Sequence, residues 1–163
     1  MRLGTGFVLI AALCIQMASA GELVDKMDRF TQKRKLAWMS SLRSSDPAAM
    51  GANTSVFFKG DEAVRVFVYL AGGFEKARFR GCDRTYWLAD GQPVTAESYS
   101  YKQTDLDAPP VRKLELLTSV FTPAAFKQLA SAQVVEYKVC ESEGVVPAED
   151  VEGLRQTLKA FDK

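Results

Sequence analysis

The chain has 163 residues, of which 47% are hydrophobic and 25% are charged, and these values are typical of an ordinary globular domain. This composition argues against a disordered chain, a collagen-like repeat and a protein with several membrane spans. There are 21 lysine and arginine residues against 20 aspartate and glutamate residues, so the overall charge does not favour nucleic acid as a partner. The sequence contains no histidine, which excludes His-dependent catalytic triads and His-ligated metal sites. We predict no cofactor and no metal.

The first 20 residues have the features of a signal peptide. Arg2 supplies a short positive region, and an apolar run follows from Phe7 to Met17. This run has about eleven residues, whereas a helix that spans a bilayer needs roughly 20. Ala18-Ser19-Ala20 is a small-x-small signal that predicts cleavage after Ala20. We therefore expect a periplasmic or secreted protein with no integral membrane segment after cleavage. An uncleaved anchor and a lipidated Cys14 are the alternatives.

Two cysteines, Cys82 and Cys140, remain after removal of the signal peptide. In an oxidising compartment an even pair predicts one disulfide. In the chain-entropy model, closing a loop of this length stabilises the fold by about 4 kcal/mol. The alternative is a redox pair or a catalytic thiol. Redox pairs usually lie two residues apart, and a cysteine nucleophile usually needs a histidine base, so the sequence favours a structural disulfide.

Residues 22–45 are predicted to form an N-terminal helix that ends before Asp46-Pro47, because the residue before a proline avoids the helical conformation. At 100° per residue, the apolar side chains of this segment share one broad face. They are Leu23, Val24, Met27, Phe30, Ala37, Trp38 and Leu42. Lys26, Arg29 and Lys33 form a basic stripe on another face, and Leu36 is expected to be exposed. This stripe is either the solvated face of the helix or a surface for anionic lipid, lipopolysaccharide or an acidic partner.

The rest of the chain, residues 54–163, is predicted to form a sheet-and-helix body. Strands are predicted at 55–58, 63–71, 74–80, 83–89, 94–102, 111–120 and 133–140, with a hairpin turn at Asp90-Gly91. In strand 111–120, alternation predicts that Leu114, Leu116 and Val120 point inward and that Lys113, Glu115 and Ser119 face water. Val135, Tyr137 and Val139 are predicted to point inward. Helices are predicted after the N-cap Thr122 and from Pro147 to Phe161.

These elements predict an α+β fold within one exported domain, residues 21–163. The expected architecture has an N-terminal helix, an antiparallel sheet of about six to seven strands, and two C-terminal helices packed on the sheet. Short turns between successive strands favour the antiparallel arrangement.

One group of basic and aromatic residues is the candidate binding site. It consists of Lys76, Arg78, Arg80, Arg84, Trp87, Tyr99 and Tyr101. Strand alternation places Lys76, Arg78 and Arg80 on one face, where they either bind a partner or pair with Glu97, Glu115 or Glu136. The aromatic residues, with Tyr86, form either an exposed platform or part of the core.

The sequence therefore predicts a non-enzymatic domain that binds another envelope or secreted macromolecule, a protein or a glycan, as an accessory protein or inhibitor. No catalytic residue is predicted, because nucleophile elbows, phosphate loops and zinc or calcium motifs are missing from the sequence. The alternative is a carboxylate-dependent hydrolase of envelope glycans. Its candidate acids are Glu75, Asp83, Asp90, Glu97 and Asp105, and no spacing singles out a pair. A carrier with a pocket for a small apolar ligand is a third hypothesis.

Overall fold

A computed structural model describes residues 21–41 and 50–162 of the protein. The predicted signal peptide (1–20) and the predicted helix end at Asp46-Pro47 lie outside these residues. The described chain contains ten strands and two helices. In chain order these are β1 (Glu22–Met27), β2 (Arg34–Met39), β3 (Gly51–Lys59), β4 (Glu62–Phe74), β5 (Thr85–Ala89), β6 (Gln92–Val94), β7 (Ser98–Ala108), β8 (Val111–Phe121), α1 (Pro123–Ser131), β9 (Val135–Val139), β10 (Ser142–Val145) and α2 (Ala148–Phe161).

The strands form two antiparallel sheets. The larger sheet has six strands in the order β1-β2-β3-β4-β8-β7, and the smaller has four strands in the order β10-β9-β5-β6. Neighbours such as β1–β2, β3–β4 and β9–β10 are joined by short turns, which is possible only for antiparallel strands. We call the face of the six-stranded sheet that packs against the smaller sheet and the helices its inner face.

The core lies between the inner face and the elements that cover it. Every second residue of β4 points into this core, and Val66, Val68 and Leu70 are fully buried. Trp87 of the smaller sheet packs edge-on against Phe121 of β8, with their ring centroids 6.0 Å apart. The two-residue alternation of the strands thus supplies the apolar surface that α1, α2 and the smaller sheet bury.

Helix α2 is attached to the larger sheet by the buried carboxylate of Asp150. This carboxylate accepts hydrogen bonds from Trp38 Nε1 (3.1 Å), Ser40 Oγ (2.8 Å) and the Ala52 amide (2.9 Å). Burial raises the pKa of Asp150, and the three donors oppose that rise. Trp38 lies in β2, Ser40 directly follows β2, and Ala52 lies in β3. One carboxylate therefore fixes the position of α2 relative to two strands of the larger sheet.

The predicted N-terminal helix over residues 22–45 is wrong, and its described part forms the hairpin β1–β2. Leu36 and Trp38 alternate inward and are buried, contrary to the expectation that Leu36 is exposed. Met27 and Phe30, assigned to the buried helical face, are exposed. The apolar residues of this segment fit the 3.6-residue period of a helix when they are drawn on a helical wheel. Pairing of β2 with β3 nevertheless makes the segment a strand, in which side chains alternate with a period of two residues.

The α+β class with a sheet of six to seven strands is also wrong, since the protein is mostly β with two sheets, and its first described helix begins at Pro123. The predicted strand 74–80 is a loop after Phe74, where β4 ends. The inward and outward faces of β8 are reversed, because Glu115 and Ser119 are fully buried. These polar side chains are buried because donors from other elements form hydrogen bonds with them. The alternation of residues along a single strand does not reveal such donors.

Local signals performed better in the second half of the chain. Asp90-Gly91 forms the turn between β5 and β6, and both residues have positive φ angles, 49° and 76°. Thr122 caps α1 by accepting the Ala125 amide at 3.1 Å, as its sequence context predicts. Helix α2 occupies the segment in which the second late helix was predicted.

Candidate binding site beside the edge strand β7

The loop of residues 75–84, between β4 and β5, is held in place by the side chain of Glu115, which lies on β8. The Glu115 carboxylate is fully buried and accepts the backbone amides of Arg78 (2.8 Å) and Phe79 (3.1 Å). A buried carboxylate is costly unless hydrogen-bond donors satisfy its oxygens. The loop therefore supplies the donors that Glu115 needs, and Glu115 in turn fixes the middle of the loop.

Tyr101 completes this network from the edge strand β7. Its hydroxyl donates to Glu115 Oε1 at 2.5 Å. Burial of the phenol and this hydrogen bond raise the pKa of Tyr101 to about 12, while the nearby positive charge of Arg80 acts in the opposite direction. The phenol is therefore a neutral donor at physiological pH, and it connects β7 with the loop through one shared carboxylate.

A disulfide between Cys82 and Cys140 fixes the far end of the loop, which confirms the predicted pairing. Cys140 lies in the turn between β9 and β10, so the bond attaches the loop to the smaller sheet. The two cysteines are 58 residues apart in the sequence. Glu115 and the disulfide thus hold the loop at two points, which limits the conformations available to its exposed side chains.

The structure divides the predicted basic and aromatic residues into two surface groups and one core residue. Arg84 lies over the rings of Tyr86 and Tyr99, 5.9 Å from each centroid. Arg80 is close enough to Tyr101 to affect its ionisation. We call Arg80, Arg84, Tyr99 and Tyr101 the arginine–tyrosine cluster.

The remaining cations of the loop lie elsewhere. Lys76 and Arg78 line a separate depression of about 470 Å³ together with Pro110 and Val111. The Arg78 guanidinium stacks over the rings of Phe74 and Phe79, at 5.1 and 5.4 Å. The predicted single face of Lys76, Arg78 and Arg80 is consequently replaced by two neighbouring surfaces.

Trp87 belongs to the core rather than to either surface. Its ring is 2% exposed, and its Nε1 donates to Ser119 Oγ at 2.9 Å. Tyr137 and Phe121 contact the same indole. Of the two alternatives predicted for the aromatic residues, an exposed platform or part of the core, the second holds for Trp87. Trp87 is therefore not available to a ligand at the surface.

Arg80 and Arg84 have no carboxylate partner within the described ranges 21–41 and 50–162. Elsewhere on the protein, the cations Lys113, Lys127 and Lys138 form ion pairs of 2.7–2.9 Å. Arginine side chains stacked on aromatic rings keep their N–H edges available as donors. The cluster is accordingly suited to an external anion.

Several of the acids proposed for a hydrolase have structural partners. Asp90 accepts the backbone amides of Gln133 and Val134, and Asp105 pairs with Lys113. Lys113 and Gln103 lower the pKa of Asp105 by hydrogen bonding to it. Glu97 lies 3.7 Å from Arg65. The described chain holds no group of three residues arranged to bind a metal ion.

The strand that carries the two tyrosines is an open edge of the six-stranded sheet. Strand β7 has 11 residues, and in the described chain it pairs with β8 alone. No other described backbone group hydrogen-bonds to residues 98–108. Sequence reasoning did not find this feature, because strand order depends on contacts between distant segments and has no local signature.

The chain matches no known protein family, no curated protein and no solved structure. Among the described residues there is no helix with the length and apolar character required to span a bilayer. The candidate site is therefore inferred from geometry: β7 is an open edge strand, the loop of residues 75–84 is held at two points, and Arg80 and Arg84 have no carboxylate partner among the described residues.

Proposed function

We propose that the protein is an exported, non-enzymatic binding protein that holds an extended, acidic segment of another protein along β7. The observation that carries this proposal is the open edge of β7 beside Arg80 and Arg84, neither of which has a carboxylate partner in the described chain. Such a role is that of an accessory protein or an inhibitor.

The open edge supports an extended partner. A strand added to a sheet edge gains main-chain hydrogen bonds along its length and places alternate side chains in reach of the host. With 11 residues, β7 is long for an edge strand, and natural proteins usually shorten or cover such edges to avoid uncontrolled pairing. The exposed Lys102 in the middle of β7 discourages unselective pairing and is compatible with an acidic partner.

The charge of the cluster supports an acidic segment. Arg80 and Arg84 lie next to Tyr99 and Tyr101, so a strand on β7 brings its own side chains close to the guanidinium groups. A protein is favoured over a glycan because Arg84 covers Tyr99, and both tyrosines of β7 are half-buried. A sugar platform requires open aromatic faces. Export is supported by the signal-like sequence and by the disulfide, since disulfides persist in oxidising compartments.

The test is a crosslinked pull-down of the tagged protein from its native envelope fraction, followed by affinity measurement with the partner identified. Arg80→Glu/Arg84→Glu is the test variant, and Lys59→Glu/Lys159→Glu is the control with the same change in charge. Both control lysines are exposed and far along the chain from the loop. We expect the test variant to bind at least about tenfold more weakly, and the control to bind normally.

Hydrogen exchange locates the partner on the protein. Amides of β7 on its open side have no acceptor within residues 21–41 and 50–162, so they should exchange quickly in the free protein. Addition of the partner should slow exchange in residues 98–108 more than in the central strand β4. Protection elsewhere with none in β7 contradicts strand addition. Lysis of purified cell walls that one Asp or Glu substitution abolishes contradicts the binding role and supports the hydrolase.

A further inference from the structure

The turn of the β1–β2 hairpin is closed by local hydrogen bonds and carries an exposed aromatic ring. The Asp28 carboxylate accepts the amides of Phe30 (2.8 Å) and Thr31 (2.9 Å), and the Gln32 amide donates to the Asp28 carbonyl at 2.8 Å. The Thr31 and Phe30 amides lower the pKa of the Asp28 carboxyl, and the three bonds together close the turn. We call residues 26–35 the hairpin tip. Its shape is therefore set by local hydrogen bonds and needs no partner to form.

Two large apolar side chains of the hairpin tip face water. Phe30 is 82% exposed, the highest value among the exposed large hydrophobic residues of the described chain, and Met27 is 55% exposed. The Arg29 guanidinium lies 4.6 Å from the centroid of the Phe30 ring. A phenylalanine at the end of a protruding turn contributes nothing to the core, and its position suits insertion into an apolar medium outside the protein.

The same tip carries a concentration of positive charge. Lys26, Arg29, Lys33 and Lys35 are exposed and form no ion pair within the described residues. The fifth cation, Arg34, pairs with Asp25 at 2.7 Å. With Asp28, the segment 25–35 has five cations and two carboxylates, 5 − 2, a net charge of +3. An aromatic ring surrounded by cations matches an interface with phosphate groups above hydrocarbon.

The hairpin tip is well separated from the arginine–tyrosine cluster. Strands β1 and β7 are opposite edges of the six-stranded sheet, five strand spacings apart. At about 4.8 Å per spacing this distance is about 24 Å. The two surfaces therefore share no residue, and a substitution in one leaves the contacts of the other in place.

We propose that the hairpin tip docks the protein onto an anionic lipid surface. Phe30 inserts among the acyl chains near the headgroups, and Lys26, Arg29 and Lys33 bind the lipid phosphates. The β7 edge remains free in this arrangement. The proposal does not depend on the function assigned to β7, because it uses different residues on the opposite edge of the sheet.

The first test places a fluorescent reporter at the tip. Trp38 and Trp87 are 4% and 2% exposed, so their emission should not respond to lipid. Phe30→Trp should shift to shorter wavelength with vesicles of phosphatidylglycerol and phosphatidylethanolamine, and should not shift with phosphatidylcholine. Tyr86→Trp is the matched control, because Tyr86 is 55% exposed and also lies beside an arginine. An unchanged Phe30→Trp spectrum, or an equal shift in both variants, overturns the proposal.

The second test measures partition onto the same vesicles by sedimentation. Phe30→Ala should lower the partition constant about tenfold. Lys26→Gln/Arg29→Gln/Lys33→Gln should lower the partition constant about a hundredfold, because each cation contributes about fivefold. Added salt should weaken the binding of the wild-type protein to the vesicles. Lys76→Gln/Arg80→Gln/Arg84→Gln loses the same charge in the loop of residues 75–84, away from the tip, and should bind vesicles normally.

The controls of this second test separate the remaining explanations. Equal losses in the two triple variants mean that net charge alone drives binding, which overturns docking by the tip. Binding of the tip to soluble polyglutamate, with none to vesicles, means that its ligand is an acidic protein. All variants are produced from the whole chain. Mass spectrometry of their N-termini checks that the apolar segment 7–17 is either present in all of them or removed from all of them. Matching circular dichroism spectra show that they fold.

Discussion

Replacement of Glu115 by glutamine probes the anchor of the loop without changing the shape of the side chain. The carboxylate accepts three donors: the amides of Arg78 and Phe79, and the Tyr101 hydroxyl. Glutamine offers one acceptor oxygen and an NH₂ group that only donates. If the oxygen takes the Oε1 position, which serves Phe79 and Tyr101, the NH₂ group faces the Arg78 amide. The part-buried Arg78 amide then has no acceptor on this side chain.

The expected cost follows from this unpaired donor. A buried donor that loses its partner costs about 1–3 kcal/mol, and we take about 2 kcal/mol for Glu115→Gln. This corresponds to about a thirtyfold increase in the open population of the loop, at 1.4 kcal/mol per tenfold change. Tyr101→Phe removes one donor and leaves Glu115 with both amides, so it should cost less, about 1 kcal/mol.

Limited digestion with trypsin reports on this opening directly, because the loop contains four trypsin sites, at Lys76, Arg78, Arg80 and Arg84. Cleavage that requires local opening has a rate proportional to the open population. We expect Glu115→Gln to be cut in the loop about thirty times faster than the wild type. Fragments must be separated under reducing conditions, because the Cys82–Cys140 disulfide otherwise holds together the two products of a cut after Arg84.

The matched control is Glu97→Gln, which changes an exposed carboxylate whose ion pair with Arg65 is long, at 3.7 Å. Surface pairs of this kind contribute little, so the cleavage rate should stay at the wild-type value. Equal loop cleavage in the wild type and Glu115→Gln would refute the role of Glu115 as the anchor. Faster cleavage throughout the chain would mean that the substitution unfolds the whole domain.

Two further predictions concern the ionisation of the edge strand and the packing of α2. Tyr101 should ionise with a pKa of about 12 in an ultraviolet titration, and Tyr101→Phe should remove that step. Since this folded-state pKa exceeds the unfolded value of about 10, the stability it contributes is complete below pH 10 and is lost as the pH rises through 12; a titration curve near pH 12 that Tyr101→Phe leaves unchanged would contradict this. Gly153→Ala should destabilise the protein by about 1–3 kcal/mol in urea unfolding, because a Cβ there overlaps the Trp38 indole, despite the helix propensity of alanine. Gln156→Ala in the same helix should have little effect, and a Gly153→Ala protein as stable as the wild type would refute the packing argument.

Local chemistry explains which parts of the fold were predictable. The turn at Asp90-Gly91, the Thr122 cap and the inward Val135, Tyr137 and Val139 depend on neighbours within a few residues. The cysteine pair was predictable because only two cysteines follow the signal-like segment. These features need no knowledge of where the rest of the chain lies.

The errors share a different cause. Residues 22–39 fit a helical wheel and a strand alternation equally well, and only hydrogen bonding of β2 to β3 separates the two. Glu115 was assigned to water from the alternation of apolar and polar residues along strand 111–120, and its burial is stabilised by amides 36 and 37 residues away. Long-range donors override the preference of a single residue.

The sequence by itself determined the approximate positions of β5, β8, β9, α1 and α2, the disulfide and the identity of the basic and aromatic residues. Only the tertiary structure decided which of these residues lie together, that Trp87 belongs to the core, and that β7 and the hairpin tip occupy opposite edges of one sheet. The physical reason is that turns, caps and alternation are set by bonded neighbours. Strand order and burial of polar groups instead depend on contacts between segments that are distant in the chain.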